Sequence, residues 1–283
     1  MRGPSSYAHQ ERLVEPDWLE SHFRDPSLRV VECSNKPEES YRKGHIPRAV
    51  LWRWKEDLWE PNRREFISGE AFAELMGRSG IAPETTVVLY GDSNRYATYA
   101  LWFLTLRGHR DARILNGGRR RWVREGRPLT NEVPSLLRGP YRVGEGDASI
   151  RIRKEEVLAG LGRKDRVLLD VRSPEEFRGE RVAPPHMLDH GAERKGRIPG
   201  AVHLYWQEIV GGDERFKPLP ELRELFAARG VTEEKEVVVY CRLSHRASLV
   251  WFALRHLVGH PRVSCYDGSW TEWGSAVGVP IEV

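Results

Sequence analysis

Cys241 heads the run Cys241-Arg242-Leu243-Ser244-His245-Arg246, directly after the apolar stretch Val237-Val238-Val239-Tyr240. Leu249-Val250-Trp251-Phe252-Ala253-Leu254 follows, with the composition of a buried helix. A strand, a short loop and a helix in that order make a cradle for an anion. Backbone N–H groups of a loop that curls into a helix N-terminus converge on one spot and favour negative charge there. The same field, with Arg242 and Arg246 beside it, favours the thiolate of Cys241, the form that acts as a nucleophile. A cysteine closing a buried strand can also be no more than a small hydrophobe, but two flanking guanidinium groups argue against that role. His245 either assists a proton transfer, adds positive charge when protonated, or faces solvent.

Metal chemistry has little support. The three cysteines, Cys33, Cys241 and Cys265, form no CxxC pair and so no zinc-finger spacing. His186 and His190 share a spacing with His256 and His260, yet both pairs lie among Gly and Pro rather than along a helix face. No metal is expected.

The elements that must position Cys241 occur twice. Gly44-His45-Ile46-Pro47 returns as Gly196-Arg197-Ile198-Pro199, and Val87-Val88-Leu89-Tyr90 returns as Val237-Val238-Val239-Tyr240. Asn116-Gly117-Gly118 with Trp122 returns as Asp267-Gly268-Ser269 with Trp273. The order is kept and the offset is nearly constant, so the chain is a tandem duplication. Each copy predicts a strand (28–32; 167–171), a Gly/Pro loop, and a second strand (49–52; 201–204). A helix (71–78; 222–229) leads to the strand ending in Tyr90 or Tyr240. An apolar helix (96–106; 248–257), a last strand (113–115; 263–266) and a Gly/Trp turn complete the copy. Short strands alternating with helices specify α/β units around a parallel sheet, where ligands sit beyond the carboxyl ends of the strands. Cys241 falls there. The boundaries read as an N-terminal domain over 1–130, a Pro/Gly-rich linker over 131–147, and a C-terminal domain over 148–283. The recurring tryptophans, Trp54, Trp122, Trp206 and Trp273, suit core packing.

The duplication is also a control. Gly91-Asp92 follows Tyr90 where Cys241-Arg242 follows Tyr240. Aspartate is no sulfur nucleophile and repels anions, so the first copy lacks the chemistry. Arg172, just past the strand Val167–Val171, is likewise confined to the second copy. On that sheet edge it can hold a dianion through paired hydrogen bonds, or it can form a surface ion pair with Glu175 or Glu176.

Composition sets outer bounds. The 283 residues are 40% hydrophobic and 10% aromatic, which is globular composition, and no apolar stretch approaches a membrane span. Met1–Tyr7 lacks the apolar core of a secretory signal, and widely spaced cysteines give no disulfide framework. A cytoplasmic protein with no membrane partner is expected. Net charge of +4 suits small anions. The basic run Arg119-Arg120-Arg121, with Arg124 and Arg127, has no aromatic platform beyond Trp122, so a solvated helix face is favoured over nucleic acid.

These motifs resemble the tandem rhodanese family, the two-domain sulfurtransferases, over nearly the whole chain. The paired Gly-x-Ile-Pro-x-Ala motifs, the paired Gly/Trp turns, the Asp170-Val171-Arg172 strand end and the single Cys241 loop carry the resemblance. It implies an α/β fold of two rhodanese-like domains, each a small parallel sheet flanked by helices, with catalysis in the second. Cys241 would be the nucleophile. Arg242, Leu243, Ser244, His245 and Arg246 would form the substrate cradle, and Arg172 would bind substrate. The implied reaction is ping-pong: thiosulfate loads a persulfide on Cys241, and a thiophilic acceptor such as cyanide removes the sulfur, with no cofactor. Related phosphatases carry a loop one residue longer than the span from Cys241 to Arg246, so phosphatase activity is disfavoured. Ser244 stands where glycine is usual, and glycine eases positive φ. Leu243 stands where thiosulfate-preferring members often carry lysine, so 3-mercaptopyruvate remains an alternative donor, though Arg242 leans toward thiosulfate. A non-catalytic anion- or partner-binding module is the rival from another class.

Overall fold

The computed structural model describes residues 6–283. Most of the Met1–Tyr7 stretch read for a secretory signal therefore lies outside the described residues. The chain divides into two units. The N-terminal unit holds residues 10–148 together with 212–215, and the C-terminal unit holds the remainder, including residues 6–9. In that C-terminal unit Ala8 and His9 N–H donate to Leu257 and His256 carbonyls at 2.9 and 2.8 Å. The Tyr7 hydroxyl donates to the Lys217 carbonyl at 2.9 Å.

The N-terminal unit runs β1 (Leu13–Val14), α1 (Pro16–Ser21), β2 (Leu28–Ser34), β3 (Ala49–Arg53), α2 (Gly69–Arg78) and β4 (Thr86–Tyr90). It continues with α3 (Asn94–Leu106), β5 (Ala112–Leu115) and α4 (Gly118–Arg124). The five strands pair in the order β1-β5-β4-β2-β3, all parallel. The C-terminal unit runs β6 (Arg151–Ile152), α5 (Lys154–Ala159), β7 (Arg166–Asp170), α6 (Pro174–Phe177), β8 (Val202–His203) and α7 (Leu219–Ala227). Then come β9 (Glu236–Tyr240), α8 (His245–Phe252), a π-helical continuation over Ala253–Val258, β10 (Val263–Tyr266) and α9 (Ser269–Trp273). Its order, β6-β10-β9-β7-β8, repeats the first sheet in the same parallel sense. This is the expected pair of α/β units, each a small parallel sheet flanked by helices.

The central strands follow from their sequences. Val87–Tyr90 and Val237–Tyr240 are buried without interruption, because parallel strands covered on both faces have no wet side. The flanking helices α3 and α8 are apolar around most of their circumference and correspondingly buried. The repeated motifs also bond alike. The Ile46 N–H donates to the Tyr90 hydroxyl at 3.1 Å, and Ile198 to Tyr240 at 3.2 Å. Trp122 and Trp273 donate their indole N–H groups to Pro128 and Pro280 carbonyls, both at 2.9 Å. The offset of the sequence repeat is thus the offset of a matched set of hydrogen bonds. Trp54 departs from core packing: it is only half-buried, donating to the Asn35 side chain at 2.7 Å.

Several elements differ from the predicted boundaries. The edge strands β1 and β6 have two residues each, too short to leave a period. The predicted Gly/Trp turns open short helices, α4 and α9. The helix expected over 248–257 begins at His245 and widens to π geometry at Ala253. Residues 131–147 carry no helix or strand but stay bonded within the N-terminal unit, with His45 Nε2 3.1 Å from the Glu132 carbonyl and Tyr141 buried beside His109. No helix among the described residues is long and apolar enough to cross a membrane.

Candidate active site

Cys241 follows β9 and is buried. Its carbonyl accepts from the Trp270 N–H at 2.9 Å, and the Arg242 carbonyl accepts from Thr271 N–H at 3.2 Å. A trans peptide is planar, with N–H opposite C=O. The N–H groups of Arg242 and Leu243 therefore point away from α9. Ser248 N–H is bonded back to the Ser244 carbonyl at 2.7 Å. The first-turn N–H groups before it, on His245, Arg246 and Ala247, have no intrahelical carbonyl to meet. The loop thus turns successive N–H groups to the side opposite α9, the arrangement that favours an anion.

Two serines in the left-handed region pin this loop. Ser244 has φ 65° and ψ −10°, at the position where the sequence raised a positive φ. Such a backbone costs a non-glycine residue about 1–2 kcal/mol. The Ser244 hydroxyl offsets this by donating to the Asp267 carbonyl at 2.8 Å, with the Tyr266 carbonyl at 3.2 Å, a bond worth about 1 kcal/mol. Ser269 has φ 52°. Its hydroxyl donates to Tyr266 at 2.9 Å and accepts the Cys241 N–H at 3.2 Å. The first unit keeps the same scaffold with other residues. Gly118 has φ 52°, and the Arg119 N–H reaches the Gly91 carbonyl at 3.2 Å as Trp270 reaches Cys241.

The two loop arginines have different tasks. Arg246 is buried and fully engaged by Glu176, with Nη1 to Oε2 at 2.6 Å and Nη2 to Oε1 at 2.8 Å. Burial works against its charge, but the Glu176 bonds more than compensate and hold the guanidinium above its ordinary range. Glu176 is itself held by the Ser173 N–H at 3.0 Å in the capping box of α6. Arg246 therefore ties the loop to α6. Arg242 is half-buried; its Nη2 donates to the His190 carbonyl at 2.9 Å and its Nε is buried without a partner. Burial, then repulsion from Arg246, push Arg242 down. It packs over Gly191, where φ is 105° and a Cβ would run into the guanidinium. Leu243 and His245 are partly exposed at the loop.

Arg172 lies in the core and not on the surface. It is fully buried, with Nε 3.0 Å from Asp170 Oδ1 and Nη2 2.6 Å from Oδ2. The same Nη2 donates to the Gly196 carbonyl at 2.7 Å, and the guanidinium lies 4.4 Å from the Trp270 ring. Asp170 ends β7 inside the core and needs a counter-charge, which Arg172 supplies, while its Nη1 is buried without a hydrogen-bond partner among the described residues. The surface ion pair with Glu175 or Glu176 is not formed.

Glu176, Ser269 and His190 entered the sequence reading in other roles, and Gly191 was not singled out. Only Glu176 carried a local signal, the Ser173-x-x-Glu176 spacing of a capping box. Cys33 and Cys265 are buried, and burial pushes both thiols well up, as befits packing residues. No group of three or more His, Cys, Asp or Glu able to hold a metal occurs among the described residues.

Known proteins are similar to this chain over most of its length. The rhodanese-like domain family matches residues 15–125 and 153–276. The chain is 50% identical over 279 residues to the sulfur carrier protein TtuD of Thermus thermophilus, covering 97% of this chain and 98% of that one. It is 49% identical over 279 residues to a Mycobacterium tuberculosis protein provisionally named thiosulfate sulfurtransferase SseA, covering 98% and 92%. Among solved structures, wild-type EanB is similar with a TM-score of 0.85 at 25% identity, over 97% of this chain and 70% of that one. An EanB variant trapped as a cysteine persulfide with ergothioneine gives a TM-score of 0.87 at 25% identity, over 98% and 71%. The chain belongs to the rhodanese family, as a protein of two tandem rhodanese-like domains with a function of the sulfurtransferase type.

Proposed function

We propose that the protein transfers sulfane sulfur from thiosulfate to a thiophilic acceptor through a persulfide on Cys241, with residues 148–283 as the catalytic domain, 131–147 as the linker and 1–130 as a domain without a nucleophile. In the first half-reaction the Cys241 thiolate attacks the outer sulfur of thiosulfate. The S–S bond of the donor breaks, sulfite leaves with the electron pair, and Cys241 carries a persulfide anion. In the second, the lone pair of the acceptor attacks the terminal sulfur and the thiolate returns. Cyanide would leave as thiocyanate. Electrons balance within the two substrates, so the chemistry asks for no metal or organic cofactor.

One observation carries this reading: the nucleophile heads a loop whose carbonyls are drawn to α9, so its N–H groups lie on the opposite side. Oriented donors of that kind stabilise an anion without reorganising during reaction. Arg242, with its unpartnered Nε, is the group suited to the sulfonate oxygens of the donor. Arg246 acts through loop position. The name of TtuD favours delivery of the sulfur to another protein, with cyanide as an assay acceptor; a reducing cytoplasm suits such chemistry.

Steady-state kinetics test the donor. Parallel double-reciprocal lines for thiosulfate and cyanide, lost in Cys241→Ser, are expected. Turnover with 3-mercaptopyruvate alone would replace the donor, and none with either would leave an anion-binding module.

A further inference from the structure

The basic run of α4 splits into two sets. Arg121 pairs with Glu15 and Glu125, and Arg127 with Asp17, Glu20 and Glu125. Those two are consumed in holding the N-terminal unit together. Arg119, Arg120 and Arg124 instead line a cavity of about 410 Å³, with Asp92, Glu39, Ser40 and Val123. That volume lies within the range of small-molecule sites.

The cavity's place in the fold is informative. Asp92 lies just past the carboxyl end of β4, where Arg242 lies past β9, and Arg119 takes the position that Trp270 holds in the second unit. The cavity therefore lies beside the first unit's counterpart of the catalytic loop, on its α4 side. Its inner wall holds an open donor: Arg119 Nη1 is buried and, among the described residues, has no hydrogen-bond partner. Its rim already accepts two negative charges. Within this unit Asp213 pairs with Arg124 at 3.3 Å and Glu214 with Arg120 at 3.2 Å. Glu214 also accepts the N–H of Asn94 at the start of α3. Both rim arginines are more than half exposed, so an incoming anion can reach them from solvent, while their carboxylate partners are themselves mostly buried.

We propose that this cavity is a second binding site, taking a doubly charged oxyanion such as phosphate in place of the Asp213 and Glu214 carboxylates, independently of Cys241. Guanidinium forks match the oxygen spacing of phosphate, and Arg119 provides the inner contact that the rim carboxylates leave open. Asp92 limits affinity by its like charge, as does Glu39, whose charge is partly offset by Lys36 at 3.1 Å.

The test titrates inorganic phosphate calorimetrically into full-length Cys241→Ser/Arg242→Ala protein, in which the catalytic cradle is disabled. Thiosulfate and glycerol phosphate are titrated in parallel. Saturable binding of phosphate is expected, weakened roughly tenfold by Arg119→Gln or Arg124→Gln, the scale of one charge-assisted hydrogen bond. Asp92→Asn is expected to tighten it. Tighter binding of glycerol phosphate would assign the site to organic phosphates, and equal binding of all three to the free ion; both support the site. Should Arg119→Gln fail to fold, the exposed Arg124 still decides the matter. Absence of saturable binding, or binding indifferent to all three substitutions, overturns the proposal.

Discussion

Arg246 and Glu176, 70 residues apart in sequence, form a buried two-pronged ion pair that fastens the loop of Cys241 to α6. The pair lies at the first turn of α8, so it sets where the helix begins and which way the preceding N–H groups face. Removing one partner of such a pair strands the other charge and costs about 3–5 kcal/mol, whereas replacing both by apolar groups is often neutral. Glu176→Gln is therefore expected to lower the thermal midpoint sharply. Glu176→Leu/Arg246→Met should recover much of the stability without recovering sulfur transfer. Calorimetry and thiosulfate turnover on the same samples read both, and a double variant as active as wild type would contradict a positioning role.

Gly191 matters through Arg242. A side chain at Gly191 would push the guanidinium off the His190 carbonyl and would be strained at φ 105°. Gly191→Ala is expected to raise KM for thiosulfate while leaving the cyanide half-reaction of preloaded enzyme unchanged. Equal losses in both half-reactions would show general damage to the loop.

Ser244 separates backbone strain from hydrogen bonding. Ser244→Ala keeps the left-handed backbone and loses the bond to Asp267, so about 1–2 kcal/mol of stability should go. Ser244→Gly loses the same bond but relaxes the φ penalty, and should be the milder change by roughly 1 kcal/mol. Denaturant titration of both variants gives the order; the reverse order would contradict the offset argued for this residue.

Glu32 gives the pH dependence. It pairs in register with Tyr90 as Asp170 pairs with Tyr240, yet Ser34 stands where Arg172 would neutralise it. Burial pushes the Glu32 carboxyl up. A carboxyl raised on folding binds a proton more tightly in the native state, so its contribution is retained at low pH and lost as pH rises above the ordinary carboxylate range. Glu32→Gln should thus gain stability relative to wild type between about pH 4.5 and neutrality. A difference that does not change with pH would remove Glu32 as its source.

What was legible in the sequence was what repeats or runs in apolar blocks. Tyr90 and Tyr240 mark the central strands because four apolar residues precede a sheet edge, and the matched motifs report matched bonds such as Ile46 to Tyr90. The Cys241 loop was legible because its chemistry is contiguous. Arg246 with Glu176 was not, since that pair exists only once β9 and β7 lie side by side. The placement of Arg172 was not legible for a different reason: Asp170-x-Arg172 reads the same whether the pair lies at the surface or in the core, and only burial separates the two. β1 and β6 escaped because two residues hold no period.

Intact mass of the full-length protein after excess thiosulfate, and again after cyanide, tests the central claim most directly. The account predicts a gain of one sulfur atom that cyanide removes, abolished by Cys241→Ser and kept in Cys33→Ser and Cys265→Ser. No gain, or a gain that survives Cys241→Ser, would contradict it.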